Sequence, residues 1–168
     1  MFLEISSLAG LPAHPLLVHA AVVLVPLAVV ALLLTGWKAS WRKHYSLPVA
    51  LLAVAGAAFA FLAKQSGEPI EHSVKRAAEA AGVRARFGEH PEEGDRAFLF
   101  ALVFAFAAVA FWAVDRYRER WGLPAWSPMG VYAIGAVIGV AAFASMTLAG
   151  HSGAELVWKD VGSFAAGK

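Results

Sequence analysis

The sequence predicts an all-α polytopic membrane protein, a bundle of four transmembrane helices with a short amphipathic helix in the outer 65–96 loop. Three observations predict it. Hydrophobic residues make up 60% of the 168 and charged residues only 15%, where a soluble domain holds about 45–50% apolar residues. Four apolar stretches, about 16–36, 47–64, 97–114 and 129–150, carry no charge in their interiors. At about 1.5 Å rise per residue each reaches across the roughly 30 Å hydrocarbon core of a bilayer. Finally, Ala, Leu, Val and Phe fill each stretch all round, without the polar face of a surface helix. The whole chain, 1–168, reads as one such domain, with the lipid bilayer as its first partner.

A soluble protein with four buried helices would need a polar outer layer, which this composition does not supply. The start, Met1-Phe2-Leu3-Glu4, carries no basic n-region. The first apolar run is long enough to span, so it reads as a membrane helix rather than a cleaved signal. There is no cysteine. That excludes disulfides, iron–sulfur clusters, thiolate-ligated haem and covalent c-type haem attachment. The net charge of +2 is small, and no feature points to nucleic acid. No P-loop, Rossmann fingerprint or nucleophile elbow is present.

The elements follow in order. Pro15 suits the first turn of span one, and Pro26 predicts a kink inside it, which membrane helices tolerate. The link 37–46 holds Lys38, Arg42 and Lys43 with no acid. Pro48 suits the first turn of span two. In the 65–96 link, Ile70, Val74, Ala77, Ala78 and Ala81 recur at helical spacing, with Pro69 near the start and Gly82 at the end. That predicts an amphipathic helix on the membrane surface, with His72, Lys75, Arg76 and Glu79 on its polar face. The link 115–127 holds Arg116, Arg118 and Arg120 against Asp115 and Glu119. Pro124 and Pro128 stop the third helix running into the fourth. Gly135 and Gly139 form a G-x-x-x-G in span four, suited to close packing within the bundle or to a homodimer seam.

Short basic links stay on the cytoplasmic side. Links 37–46 and 115–127 are therefore expected in the cytoplasm, and both termini outside it. The 65–96 link also carries Lys75, Arg76, Arg84, Arg86 and Arg96, but they are spread over a longer stretch and interspersed with acids. Trp37, Trp41, Tyr45, Tyr117, Trp121 and Trp126 fit an aromatic belt at the cytoplasmic interface.

Five of the six histidines, His14, His19, His72, His90 and His151, fall at or just beyond the opposite end. His44 belongs to the basic link. His14 precedes a proline and is expected just outside the helix. His19 is about one turn inside, rotated from His14 by a net angle of about 140°. It is thus the stronger inward-facing ligand, because a lipid-facing imidazole is costly. His90 and Glu93 share a helix face if span three starts near Pro91. Glu68 and Glu71 follow span two at the same spacing, and His151 and Glu155 follow span four.

Two chemistries fit this cluster. Imidazoles from facing helices can ligate haem b axially in an apolar cavity, passing electrons to a membrane redox partner. The expected ligands are His19, His90 and His151, with His14 in reserve. Alternatively, the same histidines with Glu68, Glu71, Glu93 or Glu155 can hold zinc, iron or copper. A third reading is a structural or assembly subunit of a larger membrane complex. No nucleophile–base pair or two-carboxylate hydrolase pattern is specified, so an electron carrier or binding protein fits better than an enzyme.

Several of these residues carry a resemblance. His14-Pro15-Leu16-Leu17-Val18-His19, Ser66-Gly67-Glu68, His90, and Gly153-Ala154-Glu155-Leu156-Val157-Trp158 resemble the domain of unknown function 2231 family. The resemblance covers nearly the whole chain. The family commonly has Phe-Pro after the second histidine, where this chain has Ala20-Ala21. Its closing motif commonly ends Gly-Gly-Glu-Leu-Val-Tyr, where Ala154 and Trp158 stand here. The resemblance implies a four-helix protein of the bacterial cytoplasmic membrane. Relatives fused to Rieske or cytochrome c domains imply a membrane redox role.

Overall fold

Four long helices carry the fold. A computed structural model describes residues 7–8, 11–84 and 87–165. A two-residue antiparallel pair, β1 (Ser7–Leu8) with β2 (Leu11–Pro12), precedes α1 (Ala13–Trp37). Then come α2 (Ala39–Ala80), α3 (His90–Tyr117) and α4 (Ser127–Ala165). All four are long and apolar enough to cross a membrane, their most apolar stretches having mean hydropathies of 2.0 to 2.8. The helices pack in chain order, α1 on α2, α2 on α3 and α3 on α4, with α1 also meeting α4. The protein is a four-helix bundle. The opening segment Met1-Phe2-Leu3-Glu4 and Arg86 lie outside the described residues.

The links differ from their expected form. Only Lys38, in an extended conformation, separates α1 from α2. The basic link 37–46 is therefore mostly helix, and Pro48 lies inside α2 rather than in its first turn. Membrane helices accept such prolines because neighbouring groups satisfy the freed carbonyl. The amphipathic outer segment is helical, as expected, but it continues α2 without a break through Pro69. It ends at Gly82, whose φ of 69° is the left-handed conformation that glycine adopts without strain. There Gly82 N–H donates to Glu79 O at 3.0 Å and Val83 N–H to Ala78 O at 2.9 Å. This double closure satisfies the last carbonyls of the helix. Gly122, with φ 65°, closes the turn after α3 in the same way.

The core is built of small residues. Ala28, Ala53, Ala101 and Ala142 are buried on all four helices, with Leu32, Phe104 and Phe111 as the larger fillers. Lipid is as apolar as leucine, so apolar contact alone gives helices no reason to associate there. Close van der Waals packing between small side chains does. Gly135 and Gly139 are spent this way. A Cβ at Gly139 would stand 3.0 Å from Phe104 Cε2, and one at Gly135 would stand 3.5 Å from Leu32 Cδ2. The glycine stripe thus packs within the bundle, not on a dimer seam.

The buried positions repeat. In α1, Ala21, Val25, Ala28, Val29, Leu32 and Thr35 are buried. In α3 the buried set Ala97, Ala101, Phe104, Ala105, Ala108 and Phe111 follows the same spacing. Val49, Ala53, Gly56, Ala60 and Ala63 of α2 match Gly135, Gly139, Ala142, Met146 and Ala149 of α4. The bundle is thus two helical hairpins, α1–α2 and α3–α4, related by a pseudo-two-fold axis along the bundle. Parallel repeats of this kind place shared sites at the repeat interface.

At the basic end, Arg42 Nε lies 3.2 Å from Asp115 Oδ1, tying α2 to α3. Arg42 also donates to Gly36 O at 3.2 Å, and Tyr132 Oη donates to Leu33 O at 3.1 Å. Trp37, Trp41, Tyr45, Trp121 and Trp126 are exposed around this end.

Candidate functional site

At the other end the repeat brings two short motifs together. His14-Pro15 opens α1, and His90-Pro91 opens α3. Ala63-x-x-Ser66-Gly67 in α2 is matched by Ala149-x-x-Ser152-Gly153 in α4. Proline is accepted in both first turns because those positions have no intrahelical donor to lose.

Each histidine is held by the opposing hairpin arm. His14 Nδ1 lies 2.9 Å from Ala63 O and 3.2 Å from Ser66 Oγ, and Ser66 Oγ donates to Ala63 O at 2.9 Å. A carbonyl only accepts, so Nδ1 carries the proton. His90 repeats the arrangement. Its Nδ1 lies 3.1 Å from Ser152 Oγ, which donates to Ala149 O at 3.3 Å. The serine hydrogen is thus engaged, and His90 Nδ1–H donates to the oxygen. Both rings point Nδ1 at these oxygens, and no partner for either Nε2 is found among the described residues. An outer hydrogen bond that fixes Nδ1–H and leaves the Nε2 lone pair free is how proteins orient imidazole ligands. Glycine makes room for each ring. A Cβ at Gly67 would stand 2.9 Å from His14 Cε1, and one at Gly153 would stand 2.8 Å from His90 Cε1.

Both histidines line one cavity of about 70 Å³. Every residue around it has its repeat partner there too. His14 pairs with His90, Val18 with Gly94, Ala21 with Ala97, and Val22 with Phe98. Ala60 pairs with Met146, Ala63 with Ala149, and Lys64 with Gly150. The cavity therefore straddles the pseudo-two-fold axis. Its one cation among the described residues, Lys64, donates to Asp95 Oδ1 at 2.6 Å.

A family described as predicted membrane protein (DUF2231) matches residues 10–165. The chain belongs to the DUF2231 family. No curated protein and no solved structure matches it.

This DUF2231 protein scatters the other residues that its sequence singled out. His14 lies inside α1, not before it, and turns into the bundle, while His19 is exposed. The rotation between the two rings is as expected, but the inward partner is His14. The helix starts at Ala13, two residues before Pro15, and the packing of its buried face sets which ring turns in. His19 Nδ1–H donates to Pro15 O of its own helix at 2.6 Å. His151 is 73% exposed and lies 3.5 Å from Glu155 Oε1 one turn on. His72 and Glu68 are exposed, and Glu71 pairs with Lys75. Glu93 sits in the first turn of α3, where a carboxylate complements the helix dipole. Its Oε2 is buried without a hydrogen-bond partner among the described residues. No group of three His, Cys, Asp or Glu able to hold a metal ion occurs among the described residues.

Sequence reasoning missed Ser66, Ser152, Gly153 as a ring rest, Lys64 and Met146. The repeated His-Pro and Ala-x-x-Ser-Gly motifs were the signal that could have found the two serines and Gly153; Lys64 and Met146 carry no such signal.

Proposed function

We propose that this membrane protein binds a metal centre in the cavity between its two hairpins, through Nε2 of His14 and Nε2 of His90. The observation that carries this reading is the pair of imidazoles, each fixed through Nδ1, that line one cavity between the hairpins. Each ring spends Nδ1 on the neighbouring helix, and neither Nε2 has a hydrogen-bond partner among the described residues.

Volume favours a bare ion. The cavity of about 70 Å³ suits one ion, whereas organic cofactors occupy pockets of roughly 300–1,000 Å³. The second reading is haem b, with electron transfer to a membrane partner. Two imidazoles from different helices, each with Nδ1–H anchored, support it, because axial ligation asks for two ligands and no third. It requires the hairpins to part. We also propose that the histidine end faces away from the cytoplasm of a bacterial cell. The basic residues Lys38, Arg42 and Lys43 at the opposite end support that orientation.

The experiment is metal analysis with a visible spectrum on the full chain purified in detergent. The expected result is a colourless protein with about one bound metal ion, lost in His14→Ala and in His90→Ala. His19→Ala and His151→Ala should keep it. A Soret band that disappears in the same two variants selects haem. Wild-type protein with neither metal nor chromophore overturns the proposal.

A further inference from the structure

The two histidines need company, because a metal ion rarely rests on two protein donors alone. Few groups can supply it. Four residues around the cavity carry a side-chain donor atom: His14, His90, Lys64 and Met146. Lys64 is an ammonium bound to Asp95, with no lone pair to give. The carboxylates are absent from the lining, and no three-residue His and acid group forms among the described residues. Met146 is 4% exposed and sits where the other repeat has Ala60. It is the thioether of an otherwise apolar wall.

We infer that the ion is monovalent copper, held by His14 Nε2, His90 Nε2 and the Met146 thioether. This rests on the proposed metal site and names its occupant. The donor set is soft and uncharged. Thioether selects Cu(I), and imidazole suits copper as well. Zinc in structural sites takes four ligands, and catalytic zinc keeps three protein ligands and a water. Here a divalent ion would keep both its charges in a low-dielectric site beside the Lys64 ammonium, with no anionic ligand to neutralise them. Such a charge is costly unless it is paired. A single positive charge on three neutral donors lowers that burden, because the cost of desolvating an ion rises with the square of its charge. The Lys64–Asp95 pair closes the rim as a neutral unit and adds no ligand.

The test is a titration of the full chain in detergent with Cu(I), kept reduced and set in competition with a chromophoric Cu(I) chelator, and in parallel with Zn(II). Wild type should bind one Cu(I) and prefer it to Zn(II). Met146→Leu keeps the volume of the side chain. It should weaken Cu(I) binding about tenfold or more while leaving the unfolding temperature and the weak Zn(II) binding unchanged. His14→Ala and His90→Ala should abolish binding of both ions. If Met146→Leu binds Cu(I) as tightly as wild type, or wild type prefers Zn(II), the copper assignment is overturned while the two-histidine site stands. If wild type binds neither ion, both fall together.

Discussion

His90 of α3 rests against Gly153 of α4, where a Cβ would stand 2.8 Å from its Cε1. The equivalent pair, His14 on Gly67, would meet at 2.9 Å. Neither ring has slack, since its Nδ1 is fixed to the same helix that carries the glycine. Gly153→Ala and Gly67→Ala should therefore each displace a histidine and cost about 1–3 kcal/mol of stability by overpacking. Thermal unfolding in detergent and metal content would be measured together. Gly135→Ala, outside the cavity and with Leu32 Cδ2 at an ordinary 3.5 Å from its Cβ position, is the control and should leave metal content unchanged.

Ser66 and Ser152 orient the rings without being ligands. Ser66→Ala leaves His14 Nδ1 its bond to Ala63 O. Ser152→Ala takes away the hydrogen-bond partner that His90 Nδ1 has. The second variant should therefore lower metal affinity more, within the 10–100-fold range seen when the outer partner of a ligand is lost. Equal, negligible effects on affinity would count against the assigned roles of both serines.

Gly139 is packed against Phe104 and Val29 of its own chain. Gly139→Leu should unfold the bundle at lower temperature, by about 1–3 kcal/mol. It should not act by dissociating a dimer. Sedimentation of wild type and variant at matched detergent concentrations separates the two effects.

The Arg42–Asp115 pair clamps α2 to α3 at the basic end, with side chains 19% and 18% exposed. Asp115→Ala would leave the guanidinium with Gly36 O as its remaining partner. The expected loss is about 1–3 kcal/mol, the usual cost of stranding a charged partner at a buried site. The helix pair Lys75–Glu71 lies on the exposed outer segment, and Lys75→Ala should cost well under 1 kcal/mol. Unfolding temperatures of the two variants in one detergent decide the ranking.

Orientation has its own test. A reporter active only in the cytoplasm, fused after Lys168, should stay silent, and one active only outside should work. Strong cytoplasmic activity would place the histidine end inside and reverse the orientation.

Much of this protein was fixed by its sequence. Length and uniform apolarity of the four stretches determine spanning helices, because backbone groups in lipid must be satisfied within the helix. Proline and glycine positions marked ends such as Gly82, where the chain needs a left-handed residue. The gathering of His14, His90 and His151 at one end follows from four antiparallel spans. Which histidine turns inward does not. His14 and His19 are about 140° apart on one helix. In a segment apolar all round, no polar face tells which side meets the bundle. Only packing decides that, through Ala21, Val25 and Leu32 against the neighbouring helices. The same holds for Met146, whose place comes from two hairpins brought together around one cavity, and no local pattern of charge or periodicity carries it.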